Sequence, residues 1–127
     1  MFCARSRTSG TALQLSLDAS VLFDVDQATL KADAVAMVRA AATQISAHPK
    51  GRILIEGHTD SSGTDAYNDR LSLSRAEAVA AALRQSAGLE GFLIEVVGFG
   101  ARRPLTSNAT EPGRQRNRRV DISLLAP

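Results

Sequence analysis

The sequence predicts an α/β domain: a mixed four-stranded sheet of element order β-α-β-α-β-β, with helices packed on it. Three observations carry this. Short β-rich apolar runs at 13–24, 52–57, 92–100 and 118–125 are separated, early in the chain, by two segments of helical apolar spacing at 28–49 and 65–88. Helices between strands imply right-handed crossovers, which makes strands two and three parallel neighbours. The segment before the last strand, 101–117, holds two prolines, two asparagines and a glycine. It reads as a long loop, so the last strand is free to pair antiparallel.

Residues 1–10 are small and polar and are expected to form a flexible tail, leaving 11–127 as a single domain. "LQLSLDASVLFD" alternates and then turns continuously apolar, which suits one bent strand. In 28–49, Leu30, Ala34, Met37, Val38, Ala41 and Ile45 recur at helical spacing, Pro49 stops the run, and Thr29 or Asp26 offers a cap. "RILIEG" is a short strand closed by Gly57. The alanine-rich helix 65–88 ends at Gly88, a good C-terminal stop. "FLIEVVGFG" and the alternating "RRVDISLL" complete the sheet.

A chain of 127 residues builds one core, and with 4% aromatics and no tryptophan that core must be aliphatic. The net charge of +2 is small, but Arg102, Arg103, Arg114, Arg116, Arg118 and Arg119 crowd the last quarter. No aromatic residue interleaves with them as a base-stacking platform, so they read as a solvated basic loop and no nucleic-acid partner is expected. Cys3 alone makes no intrachain disulfide. No apolar run is long enough to span a membrane. The first ten residues hold no signal-peptide core; if the domain works outside the cytoplasm, its exporting segment is expected to have been removed or to belong to a longer parent.

The chemistry concentrates in "GHTDSSG" at 57–63. Asp60 lies beyond the carboxyl end of strand two, where α/β sheets bind ligands. On the following helix Leu71, Arg75, Val79 and Leu83 share one face, which turns Arg75 inward near that loop. A partly buried guanidinium requires a carboxylate. Asp60 and Arg75 therefore either form a structural salt bridge or grip the opposite charges of one zwitterion, and pattern alone favours the salt bridge.

No Gly-Lys-Ser/Thr follows the glycines, so this is no phosphate-binding P-loop. His58 alternates with Asp60, but the one other histidine, His48, sits at the far end of a helix. A metal site lacks ligands on this reading, and neither metal nor cofactor is expected. The competing enzyme reading is a small phosphatase or hydrolase using Asp24, Asp26 or His58, because "VLFDVDQAT" ends an apolar strand in Asp-x-Asp as haloacid-dehalogenase-type phosphatases do. Ala28 stands where that pattern wants Thr or Val, which weakens it.

Three segments taken together, "GHTDSSGTDAYNDRLSLSRAEAVAAAL", "GFGARRPLTSN" and "GRQRNRRVDI", resemble the OmpA-like C-terminal peptidoglycan-binding domain family. The resemblance runs from Leu22 to Leu124 with no departure at a motif position, and "LFDVDQATL" is similar to the family's first strand and approach to its helix. It implies strand order 1-4-2-3 with strand four antiparallel. It also implies a non-enzymatic module that binds peptidoglycan non-covalently through the diaminopimelate residue of the stem peptide. The implied place of work is the periplasm, as a non-inserted part of an outer-membrane or otherwise membrane-anchored parent. In the family, the residues matching Asp60 and Arg75 hold diaminopimelate; Asp26, Thr59, Asn68, Leu71 and Arg118 map to the surrounding pocket.

Overall fold

The computed structural model describes residues 11–126; the expected tail at 1–10 lies outside the described residues. Strand β1 (Thr11–Asp18) is followed at once by a one-turn helix, α1 (Ala19–Leu22). The single bent strand expected over 13–24 is therefore corrected. The Asp18 carboxylate accepts the Ser20 amide at 2.8 Å and caps the turn, and Ala19, Leu22 and Phe23 are all buried. One helical turn puts all three into the core, whereas an extended run would send alternate residues to opposite faces.

Helix α2 (Ala32–Ser46) starts after Lys31, with no side-chain cap. The caps expected from Thr29 or Asp26 are thus not used. Asp26 instead sits at φ 60, in a tight turn closed by the Gln27 amide on the Asp24 carbonyl at 3.0 Å. Strand β2 spans Arg52–His58 and helix α3 spans Asp65–Arg84. The Thr64 hydroxyl caps α3 by accepting the Tyr67 amide at 3.1 Å. Strand β3 is Leu93–Gly98.

The segment expected to be helix-free contains α4 (Glu111–Asn117). Pro112 and Gly113 read as breakers in sequence. A proline in the first helical turn, however, withholds an amide that has no intrahelical partner in any case, and Thr110 accepts the Gly113 amide at 3.2 Å. Strand β4 (Arg119–Leu125) closes the fold.

The sheet order is β1-β4-β2-β3. β4 runs antiparallel to both neighbours, and β2 pairs parallel with β3, as expected. One face carries Ile53, Ile55, Val120, Ile122 and Leu124, which build a core with Val38 and Ile45 of α2 and Val79 and Leu83 of α3. Residues of opposite parity, including Glu56, His58, Arg119 and Asp121, occupy the other face. No helix among the described residues is long and apolar enough to cross a membrane.

Helix α3 lies so close to β2 that a Cβ on Gly57 would stand 2.0 Å from the Ser72 carbonyl oxygen. That contact fixes the height of α3 above the sheet. It brings Asn68, Leu71 and Arg75 beside the loop that leaves β2.

Candidate functional site

The loop after β2 is anchored by the Thr59 amide on the Gly100 carbonyl at 2.9 Å. Thr59 Oγ1 donates to the Asp60 carbonyl at 2.8 Å, and Asn68 Nδ2 donates to the same carbonyl at 3.4 Å. One Asp60 carboxylate oxygen accepts the Ser62 amide at 2.8 Å. The other accepts Arg118 Nη1 at 2.6 Å. Arg118 reaches across from the start of β4, and its second prong meets Glu111 at 2.5 Å. Burial pushes the Asp60 carboxyl up, but the Ser62 amide and the Arg118 guanidinium outweigh it and hold the group below its ordinary value.

The Asp60–Arg75 salt bridge, the alternative that pattern alone favours, is not formed. Arg75 is buried, as the helical spacing predicts, but its Nε donates to the Gln27 carbonyl at 2.8 Å and Nη2 to the Asp24 carbonyl at 3.3 Å. Its guanidinium also lies 5.1 Å from the Phe23 ring centroid. The 24–27 turn supplies backbone acceptors that sequence patterning does not reveal, and Arg118 takes the carboxylate. Burial lowers the Arg75 pKa, against the opposing influence of Tyr67, Asp26 and Asp60. An arginine stays charged regardless.

These groups line a pocket of about 520 Å³. All seven sequence-predicted residues, Asp26, Thr59, Asp60, Asn68, Leu71, Arg75 and Arg118, lie on its wall. Phe23, Lys31 and Tyr67 line it as well. The Tyr67 hydroxyl donates to Asp26 at 2.6 Å and ties the 24–27 turn to α3. Lys31 donates to the Ser20 carbonyl at 3.2 Å and lies 3.7 Å from Asp24. Two guanidiniums, Arg75 and Arg118, and the Lys31 ammonium thus share the wall with three carboxylates, Asp24, Asp26 and Asp60. Such a set suits a small ligand that carries both charges.

Of the residues of the enzyme reading, Asp24 and Asp26 line this pocket and His58 does not. Asp24 is largely exposed beside Lys31, and Asp26 is engaged by Tyr67. His58 lies on the other face of the sheet, stacked on Phe99 with ring centroids 5.4 Å apart. Burial first, then the charge of Arg119, pushes its pKa down to about 4. Of the remaining arginines, Arg116 is exposed. Arg114 is not simply solvated: it donates to the Asn108 carbonyl at 2.9 Å and braces the loop before α4.

The model of the OmpA family matches residues 22–118, which is most of the chain. The chain belongs to the OmpA family. Outer membrane porin F of Pseudomonas aeruginosa is 42% identical over 106 residues, covering 84% of this chain and 30% of the porin. Outer membrane protein A of Bordetella avium is 37% identical, covering 95% of this chain and 62% of that protein. Against the porins, then, this OmpA-family chain spans about a third of the relative's length.

Among solved structures, the peptidoglycan-associated lipoprotein from Burkholderia pseudomallei is 33% identical with TM-score 0.69, covering 85% of this chain and 87% of that one. The cell wall anchor of the T6SS from Pseudomonas aeruginosa is 28% identical with TM-score 0.75, covering 90% and 81%.

Proposed function

We propose that this OmpA-family domain binds peptidoglycan non-covalently through the diaminopimelate residue of the stem peptide, and so tethers a longer, membrane-anchored parent to the cell wall from the periplasm. The observation that carries the reading is the charge-paired pocket: three cations, Lys31, Arg75 and Arg118, and three carboxylates, Asp24, Asp26 and Asp60, around an apolar wall of Phe23 and Leu71. The described relatives support it, since one is a peptidoglycan-associated lipoprotein and another a cell wall anchor.

Diaminopimelate ends in a free ammonium and a free carboxylate a few bonds apart. Arg75 spends two donors on the 24–27 turn. Of its five N–H groups the rest remain for the ligand carboxylate. Asp60 accepts the ammonium, sharing its charge with Arg118, and Asp26 offers a second acceptor. Binding of this kind needs neither nucleophile nor metal.

Co-sedimentation with purified sacculi tests the proposal. The domain should pellet with diaminopimelate-type walls and stay soluble with lysine-type walls, which lack the free amino-acid end. Muropeptides accumulating in the supernatant would instead mark it as a hydrolase. A companion prediction separates a shaped pocket from bulk charge. Arg116→Gln should leave the binding constant within about twofold, as for an exposed charge, while Arg118→Gln should weaken it markedly. Equal losses from the two would sink the pocket assignment.

A further inference from the structure

We infer that the face of the sheet turned away from the helices carries a divalent transition-metal site built by Glu56, His58 and Asp121, with Zn2+ as the class of ion it takes. Sequence spacing hides this set, because Asp121 comes from the last strand. The strand register makes it: Glu56 pairs directly with Asp121, and His58 follows two residues on, on the same face. One ligand atom from each of the three side chains lies within 4.8 Å of the others.

Two independent features point to an ion. His58 is only 4% exposed, yet both of its ring nitrogens find no hydrogen-bond partner among the described residues. A buried polar group in that condition calls for an explanation. Its Nε2 stands 3.6 Å from Asp121 Oδ2. That is too long for a hydrogen bond. It is close to the separation of about 3.4 Å between two ligands that each lie about 2.1 Å from one tetrahedral ion. Glu56 and Asp121 face each other as like charges, an unfavourable cross-strand pair that a cation between them relieves.

Asp121 is already oriented as a ligand would be. Ser16 donates to its Oδ1 at 2.7 Å and Arg119 Nε to its Oδ2 at 3.0 Å, the kind of outer support that ligating carboxylates have. Arg119 and Arg103 lie close enough to act on His58, and their charge works against a cation. The two carboxylates offset it. Affinity then comes from ligand bonds rather than from net attraction, so binding is expected to be modest. An ion here would brace the end of β2 where the 59–63 loop departs.

The test is titration of the full chain with Zn2+ alone at pH 7.5 by calorimetry, with melting curves alongside. One ion per chain and a raised Tm are expected, since a ligand that binds only the folded state stabilises it. Cys3 and His48 are the other strong Zn2+ donors, so the Cys3→Ser, His48→Gln double variant should keep the site. His58→Gln and Asp121→Asn should each weaken binding by about tenfold or more. Loss of binding in the double variant, or unchanged binding in His58→Gln, overturns the assignment. If His58→Gln fails to fold, 15N spectra of the wild-type histidine rings decide. Zn2+ must move the His58 ring nitrogens, and no shift there overturns the site.

Discussion

Gly57→Ala is expected to cost about 3 kcal/mol of stability, at the upper end of overpacking effects, and to lower Tm by on the order of 10 °C. It adds a single methyl group, but the added Cβ would stand 2.0 Å from the Ser72 carbonyl oxygen and 2.7 Å from its carbon. Both atoms belong to the backbone of α3, so no rotamer change gives relief. The helix must rise from the sheet along its length, opening the core that Val79 and Leu83 share with Ile53 and Ile55. Gly63 offers the contrast. Its φ of +80 makes alanine strained, yet the nearest atom to a new Cβ is a Tyr67 side-chain carbon at 3.4 Å. Gly63→Ala should therefore cost only about 1 kcal/mol. Thermal melts of the two variants check the ranking. A Gly57→Ala protein melting within about 2 °C of wild type would show that α3 does not pack on β2 at this height.

The same close approach explains which parts of the site were legible in sequence. Helical spacing alone turns Arg75 inward, and the glycine that closes "RILIEG" places Asp60 beyond the strand's carboxyl end. Both predictions depend on local periodicity, and the structure agrees with both. What patterning does not supply is the partner. Arg118 takes Asp60, and the 24–27 turn takes Arg75, because residues about fifty positions apart meet through the sheet order. The misread segments have local causes. Residues 19–23 are apolar except for Ser20, and such a short run fits a strand or a buried helical turn equally well. Pro112-Gly113 looks like a loop until Thr110 is recognised as a cap. Asp121 lies 63 residues beyond His58, so their meeting is a matter of β-register and not of motif.

Asp60→Ala is expected to remove binding of a diaminopimelate-containing peptide while the fold survives. Deleting a charge that partners the ligand ammonium costs roughly 2–5 kcal/mol of affinity, enough to erase a weak interaction. Stability should suffer less. Arg118 keeps Glu111 as a partner, so it is not stranded, and the Ser62 amide released by the change belongs to an exposed residue. Asp60→Asn retains shape and one acceptor oxygen but no charge, and should also bind poorly. Arg75→Lys should fail for a different reason. The guanidinium holds the Gln27 and Asp24 carbonyls with one side of its fork and presents its remaining donors to the pocket. A single ammonium cannot do both. That variant should lose some stability as well, because the 24–27 turn loses its tether, whereas Asp60→Asn should melt close to wild type. If the two residues act only in holding the fold, binding will fall in proportion to the folded fraction and no further. Melting curves run beside peptide titrations separate these cases. A folded Asp60→Asn protein that binds the peptide with wild-type affinity would remove Asp60 from the site.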